Sequence, residues 1–126
     1  MEFDGLPHYT NPMNIKKDKE KERLYSEAGY TVVRIPYFIQ LSNDVIQTLF
    51  DREVKEPMFD ASIPSLAVSG NNTPAFLCPA GIRRMAEEFR RFPQQYEVNL
   101  KALQNETNQE LACTSLLQAE YTRNIR

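Results

Sequence analysis

The residues best suited to chemistry lie at the start of the chain: Glu2, Asp4 and His8. The run from Met1 to Asp4 alternates between apolar and polar residues, as a half-buried strand does. On a strand, Glu2 and Asp4 project from the same face, roughly 6.6–7 Å apart along the chain. Two such carboxylates, followed by a turn that brings back the single histidine, can bind a hard divalent cation with the imidazole as a base. The same residue types also fit a surface strand end with solvated acids and a capping histidine.

Three further elements are predicted to position these side chains. Residues 15–28 form a helix, because the interior of this segment lacks Gly, Pro and β-branched residues and Gly29 stands where a helix-ending glycine belongs. Leu24, Tyr25 and Ala28 give this helix a narrow apolar edge. Residues 31–35 are rich in β-branched residues and predict a strand. Ser42 is a good N-cap for a helix whose apolar residues, up to Val54, follow at helical spacing.

The remaining segments divide the chain into three regions. The residues up to 55 hold the elements above, and residues 56–80 form a proline-containing loop from which Ile63 and residues 66–68 insert as short apolar pieces. Residues 81–126 form a helical tail that packs on the first region or on a partner. Within this tail, helices are predicted from Gly81, from Pro93 and over residues 111–121, the last after a capping box that begins at Thr107.

The order of these features resembles the C-terminal half of the PD-(D/E)XK nuclease superfamily, and most of all its very-short-patch-repair-like and homing-type endonucleases. Members of that branch read roughly E-x-D-G-x-x-H-Y, then D-x-x-K on a helix, then G-Y-x-V-x-R-I-P-Y. The matching residues here are Glu2, Asp4, Gly5, His8, Tyr9, Asp18, Lys21, Gly29, Tyr30, Val32, Arg34, Ile35, Pro36 and Tyr37. The resemblance covers residues 1 to about 50, and extends more weakly through residues 74–78 and 81–84.

The resemblance implies an α/β fold in which a partial restriction-endonuclease-like core, strand–helix–strand–helix, precedes the helical C-terminal tail. It also implies metal-dependent hydrolysis of phosphodiester bonds in DNA. Glu2 and Asp4 would bind Mg²⁺ or Mn²⁺, and His8 would act as the base or contact the phosphate. Asp4 stands where the superfamily's name calls for lysine, as is usual in this branch. Lys21 would supply the missing positive charge; alternatively, it forms an exposed ion pair with Asp18.

Several basic and polar residues are candidates for contacts with the DNA backbone. Arg34 and Gln40 would touch phosphates in this interpretation, although Arg34 could equally pair with an acid on the neighbouring strand. Arg83, Arg84, Arg90 and Arg91 flank one short helix on which only Glu87 and Glu88 oppose them. A solvated helix face would show the same pattern, so both interpretations of these arginines stay open.

The superfamily places a further metal-binding aspartate on a strand before the E-x-D strand, and this chain starts too late to contain it. We therefore expect the chain alone to cut DNA poorly or not at all, unless a second copy or an N-terminal segment completes the site. The alternative function is a non-catalytic nuclease remnant, or an interaction module whose helical tail binds a partner.

Two further expectations concern the structure. Segments 1–5 and 31–35 should be adjacent parallel strands joined by the helix at 15–28. Glu2, Asp4, His8 and Lys21 should converge on one concavity, with the acids raising one another's pKa.

Composition sets outer limits on these interpretations. The 126 residues include 15 Lys and Arg against 17 Asp and Glu, a net charge of −2 that excludes a wholly basic nucleic-acid coat. No apolar run approaches the ~18–20 residues of a membrane span, and no secretory signal is present, so we expect an intracellular, cytoplasmic protein. Two cysteines are too few and too far apart for a zinc site or a disulfide framework.

Overall fold

The computed structural model describes residues 1–67 and 72–123. A mixed α/β arrangement is present, with far more helix than strand. The elements in chain order are β1 (Glu2–Asp4), α1 (Pro7–Thr10), α2 (Pro12–Glu27), β2 (Arg34–Pro36), α3 (Asn43–Phe50), a 3₁₀ turn (Pro74–Phe76), α4 (Pro79–Arg90), α5 (Pro93–Gln104), α6 (Gln109–Ala112) and α7 (Thr114–Arg123).

The two strands form a parallel sheet in which Glu2 pairs with Arg34, Phe3 with Ile35 and Asp4 with Pro36. The Glu2 N–H donates to the Val33 carbonyl at 2.8 Å, so the contact extends one residue before β2. Helix α2 lies in the connection between the strands. The prediction of adjacent parallel strands with a helical connection is confirmed.

One predicted turn and two predicted boundaries are wrong near the start of the chain. The segment after β1 is a short helix, α1, rather than a simple turn. Helix α2 starts at Pro12 instead of residue 15, because the Asn11 side chain accepts a hydrogen bond from Met13 N at 2.9 Å and Pro12 suits the first helical turn. Strand β2 starts at Arg34 instead of residue 31, since β1 offers a ladder of only three residues.

Helix α2 buries a different face from the one predicted. Ile15 and Asp18 are its buried residues, whereas Leu24 and Tyr25 are 52% and 44% exposed and Ala28 is also exposed. The apolar edge predicted from Leu24, Tyr25 and Ala28 is therefore wrong. The buried residues of α2 lie in its N-terminal half, and a carboxylate completes the buried face.

The main core lies between the helices of the C-terminal part and the segment that follows β2. Phe38 packs against Phe89 of α4 with ring centroids 4.8 Å apart, and Tyr9 packs edge-on against Phe38 at 5.2 Å. Polar side chains of α5 hold neighbouring loops: Gln95 bonds both backbone groups of Gln40, and Asn99 accepts from Leu66 N at 2.8 Å. The helical tail thus packs on the first region, which is one of the two arrangements predicted for it; the other is packing on a partner.

Two details of the later segments differ from prediction. Asn108 rather than Thr107 caps α6, accepting from Glu110 N at 3.1 Å. The predicted helix over 111–121 is interrupted at Cys113, whose φ of 51° ends α6 before α7 begins. In the loop, Leu66 is fully buried as predicted but Ile63 is exposed. Val68, like the rest of 68–71 and residues 124–126 of the tail, lies outside the described residues.

Among the described residues, no helix is both long enough and apolar enough to cross a membrane.

Candidate functional site

The carboxylate of Asp4 is the centre of the site. It projects from the third residue of β1 and is completely buried, whereas Phe3, on the opposite face of the strand, is 68% exposed. The Asp4 carboxylate is held by Arg34 Nη1, 3.1 Å from Oδ1, and by Arg84 Nη2, 2.6 Å from Oδ2. A buried carboxylate needs such charged partners, because removing an uncompensated charge from water is very costly.

Helix α1 places His8 beside this carboxylate. Pro7 starts the helix, and His8 follows Asp4 by four residues, with its Nδ1 3.6 Å from Asp4 Oδ1. The closer partner of His8 Nδ1 is Asp18 Oδ2, at 2.7 Å. The His8 side chain is 32% exposed, so its ring borders the solvent while bonding a buried acid.

Asp18 of α2 is the third member of the cluster. Its Oδ2 bonds both His8 and Arg84 Nη1, the latter at 2.8 Å, and its main-chain carbonyl accepts from Arg34 Nη2 at 3.0 Å. The sequence placed Asp18 in a helical D-x-x-K motif but did not assign it as a metal ligand. The signal that could have identified it is the Ile15–Asp18 spacing, which puts both residues on one helix face.

The surrounding charges change the acidity of these groups. Burial, the largest single influence, raises the pKa of Asp18, but the hydrogen bonds from Arg84 and His8 and the charge of Arg34 outweigh it. The pKa of Asp18 is therefore lowered.

Glu88, one turn after Arg84 on α4, has the opposite shift. Burial raises its pKa to about 7, against the lowering effects of a hydrogen bond from Tyr9 and the charge of Arg84. Tyr9 Oη donates to Glu88 Oε2 at 2.5 Å, and Arg84 Nε lies 3.5 Å from Glu88 Oε1. Nothing in the sequence alone distinguished Glu88 from the solvated acids around it.

Two of the four residues expected to converge do so. Asp4 and His8 lie together, whereas Lys21 Nζ lies 4.0 Å from Glu2 Oε1 in a largely solvated pair. The cluster therefore contains Asp18 where the sequence indicated Glu2 and Lys21. Lys21 is not paired with Asp18 in the way its spacing suggested.

The four candidates for DNA contacts are also separated. Arg34 pairs with Asp4 on the neighbouring strand, which was one of its two predicted roles. Arg84 points inward onto Asp4 and Asp18 and does not share the exposed surface of Arg83. Gln40 is held through its backbone by Gln95, at the far end of the segment that follows β2.

A cleft of about 200 Å³ leads from the surface to this network between α2, β2 and α4. Its lining includes Asp18, Arg34, Arg84, Glu88 and Arg91. Asp4 and His8 are not lining residues of this cleft, but Arg34 and Arg84, which line it, bond the Asp4 carboxylate. The positive charges of Arg34 and Arg84 and the apolar side chain of Phe92 are therefore available to an anion bound in this cleft.

Asp4, His8 and Asp18 each offer one ligand atom, and these atoms all lie within 4.8 Å of one another. Ligands on opposite sides of Mg²⁺ are about 4.2 Å apart, so a small contraction brings this donor set to the spacing of a divalent-cation site. The carboxylate oxygens of Asp4 and Asp18 are donors that suit Mg²⁺ and Mn²⁺. No family model, curated protein or solved structure matches this chain.

Proposed function

We propose that this chain is a metal-dependent hydrolase of phosphodiester bonds in DNA, with Mg²⁺ or Mn²⁺ held by Asp4 and Asp18. The observation that carries the proposal is the convergence of Asp4, His8 and Asp18 from three different elements. The resemblance of the E-x-D-G-x-x-H segment and the following strand to very-short-patch-repair-like endonucleases supports it. The parallel pairing of β1 with β2 is compatible with a partial restriction-endonuclease-like core.

The donor set fits a divalent cation in chemistry, because two carboxylates and an imidazole converge. Two carboxylates come from β1 and α2, so the second acid does not depend on a strand preceding β1. The guanidinium group of Arg84 bridges Asp4 Oδ2 and Asp18 Oδ2, so a divalent cation held by these oxygens would take its place. When bound, a divalent cation supplies Lewis-acid stabilisation of the negative charge that develops on the phosphate.

His8 is suited to accept a proton from the attacking water. Asp18 accepts a hydrogen bond from His8 Nδ1, which orients the ring and leaves Nε2 as the nitrogen that receives a proton. The carboxylate of Asp18 also stabilises the resulting imidazolium. Arg34 and Arg84, which line the cleft, would bind the phosphate there, and the exposed Arg83 would contact the backbone farther along the DNA.

The test is nicking of supercoiled plasmid in Mg²⁺ or Mn²⁺ by the wild-type chain, Asp18→Asn and His8→Ala. Because Asp18 supplies the second acid that the resemblance assigns to a preceding strand, we now expect metal-dependent nicking by the chain alone. We expect this nicking to fall by about 100-fold in either variant, the usual scale for loss of general-base catalysis. Glu20→Gln is the matched control, since Glu20 is an exposed acid on the same helix. Circular dichroism confirms that each variant is folded. Nicking that survives both substitutions would reject the proposal.

A second candidate function is a non-catalytic interaction module. The observation that favours it is the neutralisation of both buried carboxylates by Arg34 and Arg84, which makes the network self-sufficient as a structural ion cluster. In that case, Asp18→Asn would lower stability, and the folded wild-type chain would neither bind Mn²⁺ nor cut DNA.

A further inference from the structure

We propose that Arg84 is an internal cation that competes with a divalent metal ion for Asp4 and Asp18, and that Glu88 is the partner to which its guanidinium group transfers. The inference rests on the proposed metal site and assigns that site a built-in competitor. The observation behind it is that one arginine bridges both proposed ligands while a second acid lies beside the same guanidinium group.

Arg84 bonds the oxygens that a cation would need. Its Nη2 lies 2.6 Å from Asp4 Oδ2 and its Nη1 lies 2.8 Å from Asp18 Oδ2. A divalent ion bound by these oxygens would lie within a few ångströms of the guanidinium carbon, where like charges repel strongly in a poorly solvated site. Binding of the ion and the present position of Arg84 are therefore mutually exclusive.

Glu88 is placed to receive the displaced group. It follows Arg84 by one helical turn on α4, with Oε1 3.5 Å from Arg84 Nε. Its other oxygen, Oε2, is held by Tyr9 Oη, so the carboxylate is oriented before any exchange takes place. The Arg84 guanidinium lies 4.9 Å from the centre of the Tyr9 ring, which gives it a favourable surface along this path.

Arg34 is not the exchangeable cation, because it does not bridge the two carboxylates: its Nη1 lies 3.8 Å from Asp18 Oδ1. Its Nη2 donates to the main-chain carbonyl of Asp18 at 3.0 Å while its Nη1 spans both oxygens of Asp4. It remains beside Asp4 when Arg84 leaves. Arg84 donates to one main-chain carbonyl, that of His8 at 3.1 Å, and its remaining strong bonds are to the two acids.

The experiment measures Mn²⁺ affinity from the electron paramagnetic resonance signal of the free ion. It is done at pH 8, where Glu88, whose pKa burial raises to about 7, is ionised. We expect Arg84→Gln to bind Mn²⁺ about tenfold more tightly than wild type, because apparent affinity falls with the fraction of molecules in which the ligands are available. We expect Glu88→Gln to bind several-fold more weakly, because Arg84 has lost its alternative partner.

Each variant has a matched control next to it on α4. Arg83→Gln and Glu87→Gln remove the same charges from exposed positions and should change affinity little. Unchanged or weaker Mn²⁺ binding by folded Arg84→Gln would overturn the inference, as would equal affinities of Glu88→Gln and Glu87→Gln. If Arg84→Gln does not fold, the comparison of Glu88→Gln with Glu87→Gln decides.

A thermal melt provides a second measurement. Arg84→Gln leaves Asp4 and Asp18 with less positive charge, so its melting temperature should fall in EDTA and recover with Mn²⁺ by more than that of wild type. The expected order of affinities without DNA cleavage would keep the inference and reject hydrolysis. DNA cleavage with equal Mn²⁺ affinities of all variants would keep hydrolysis and overturn the inference. A lack of Mn²⁺ binding by every variant would also overturn the inference.

Discussion

At the scale of single residues, Asp4 is a charge held inside the protein by two arginines. Its side chain is fully buried, and Arg34 and Arg84 are each 11% exposed. Replacing one member of such a group leaves the others buried and uncompensated, which costs far more than an exposed ion pair contributes. The stability of the site therefore depends on charge balance as well as on packing.

Asp4→Asn tests this balance. The substitution keeps the shape of the side chain and removes its charge, so we expect the free energy of unfolding in urea to fall by about 3 kcal/mol. Glu2→Gln, on the same face of β1 but partly solvated, should change it by less than about 0.5 kcal/mol. Equal effects of the two substitutions would show that the buried charge is not important for stability.

Glu88 makes stability depend on pH near neutrality. Burial raises its pKa from 4.5 in an unperturbed carboxyl to about 7 in the folded protein. Between these values the folded state binds more protons than the unfolded state, so the contribution of Glu88 to the free energy of unfolding falls as pH rises. Complete ionisation of Glu88 lowers the free energy of unfolding by on the order of 3 kcal/mol at most, since a difference of one in pKa corresponds to about 1.4 kcal/mol.

Glu88→Gln removes this dependence. We expect the variant to gain stability relative to wild type as the pH rises from about 4.5 to 8, with most of the gain complete just above pH 7. Chemical denaturation at several pH values measures it. Glu87→Gln, at the neighbouring exposed position, should follow the wild-type profile. Parallel profiles for wild type and Glu88→Gln would contradict the raised pKa.

At the scale of elements, the contact of α4 with α1 controls the site, because α4 supplies Arg84 and Glu88 while α1 supplies His8. The two helices meet at Gly81, where an added Cβ would lie 1.6 Å from the carbonyl oxygen of Tyr9. The obstacle is backbone rather than a flexible side chain, so a larger residue must move one helix away from the other.

Gly81→Ala should therefore destabilise the protein, although the same change in an exposed helix interior stabilises by about 0.5–1 kcal/mol. We expect a loss of about 2 kcal/mol or more, as for other overpacked positions, measured by urea denaturation. Gly5→Ala is the control, since its Cβ would meet only Pro7 Cδ at 3.8 Å. Wild-type stability of Gly81→Ala would show that α1 and α4 separate easily.

At the scale of the whole molecule, the C-terminal helices are part of the site and of its core. Phe89 and Tyr96, on α4 and α5, belong to the same buried cluster as Tyr9, Phe38 and Val45. The three regions that the sequence divides at residues 55 and 80 therefore share one hydrophobic core in the folded protein. The loop between these positions is itself held by Asn99 of α5.

We accordingly expect residues 1–55 expressed alone to be unfolded. A segment of this size buries little surface even when it is complete, and this one would expose the faces of Tyr9 and Phe38 that α4 covers. Its amide proton NMR spectrum should be narrow, in contrast to that of the whole chain. A well-dispersed spectrum for residues 1–55 would mean that the first region is an independent domain.

Local patterns in the sequence determined the parallel pairing of β1 and β2, the helix between them and the neighbouring positions of Asp4 and His8. The two strands, the helix and the proximity of Asp4 to His8 depend on residues close together in the chain: the alternation in β1, the β-branched run before Pro36 and the four residues from Asp4 to His8. The helical connection between the strands then favours their parallel pairing. For the same reason the sequence predicted the helices that begin near residues 43, 79 and 93.

Only the tertiary structure decided which charges meet. Asp18, Arg84 and Glu88 look like ordinary members of charged helices, and helical spacing does not say which turn of a helix packs on another. Arg84 lies 80 residues after Asp4, yet the close contact at Gly81 brings its guanidinium group 2.6 Å from that carboxylate. The surroundings of the two acids then shift their pKa values in opposite directions. Hydrogen bonds and charges from the arginines lower the pKa of Asp18, while desolvation raises that of Glu88.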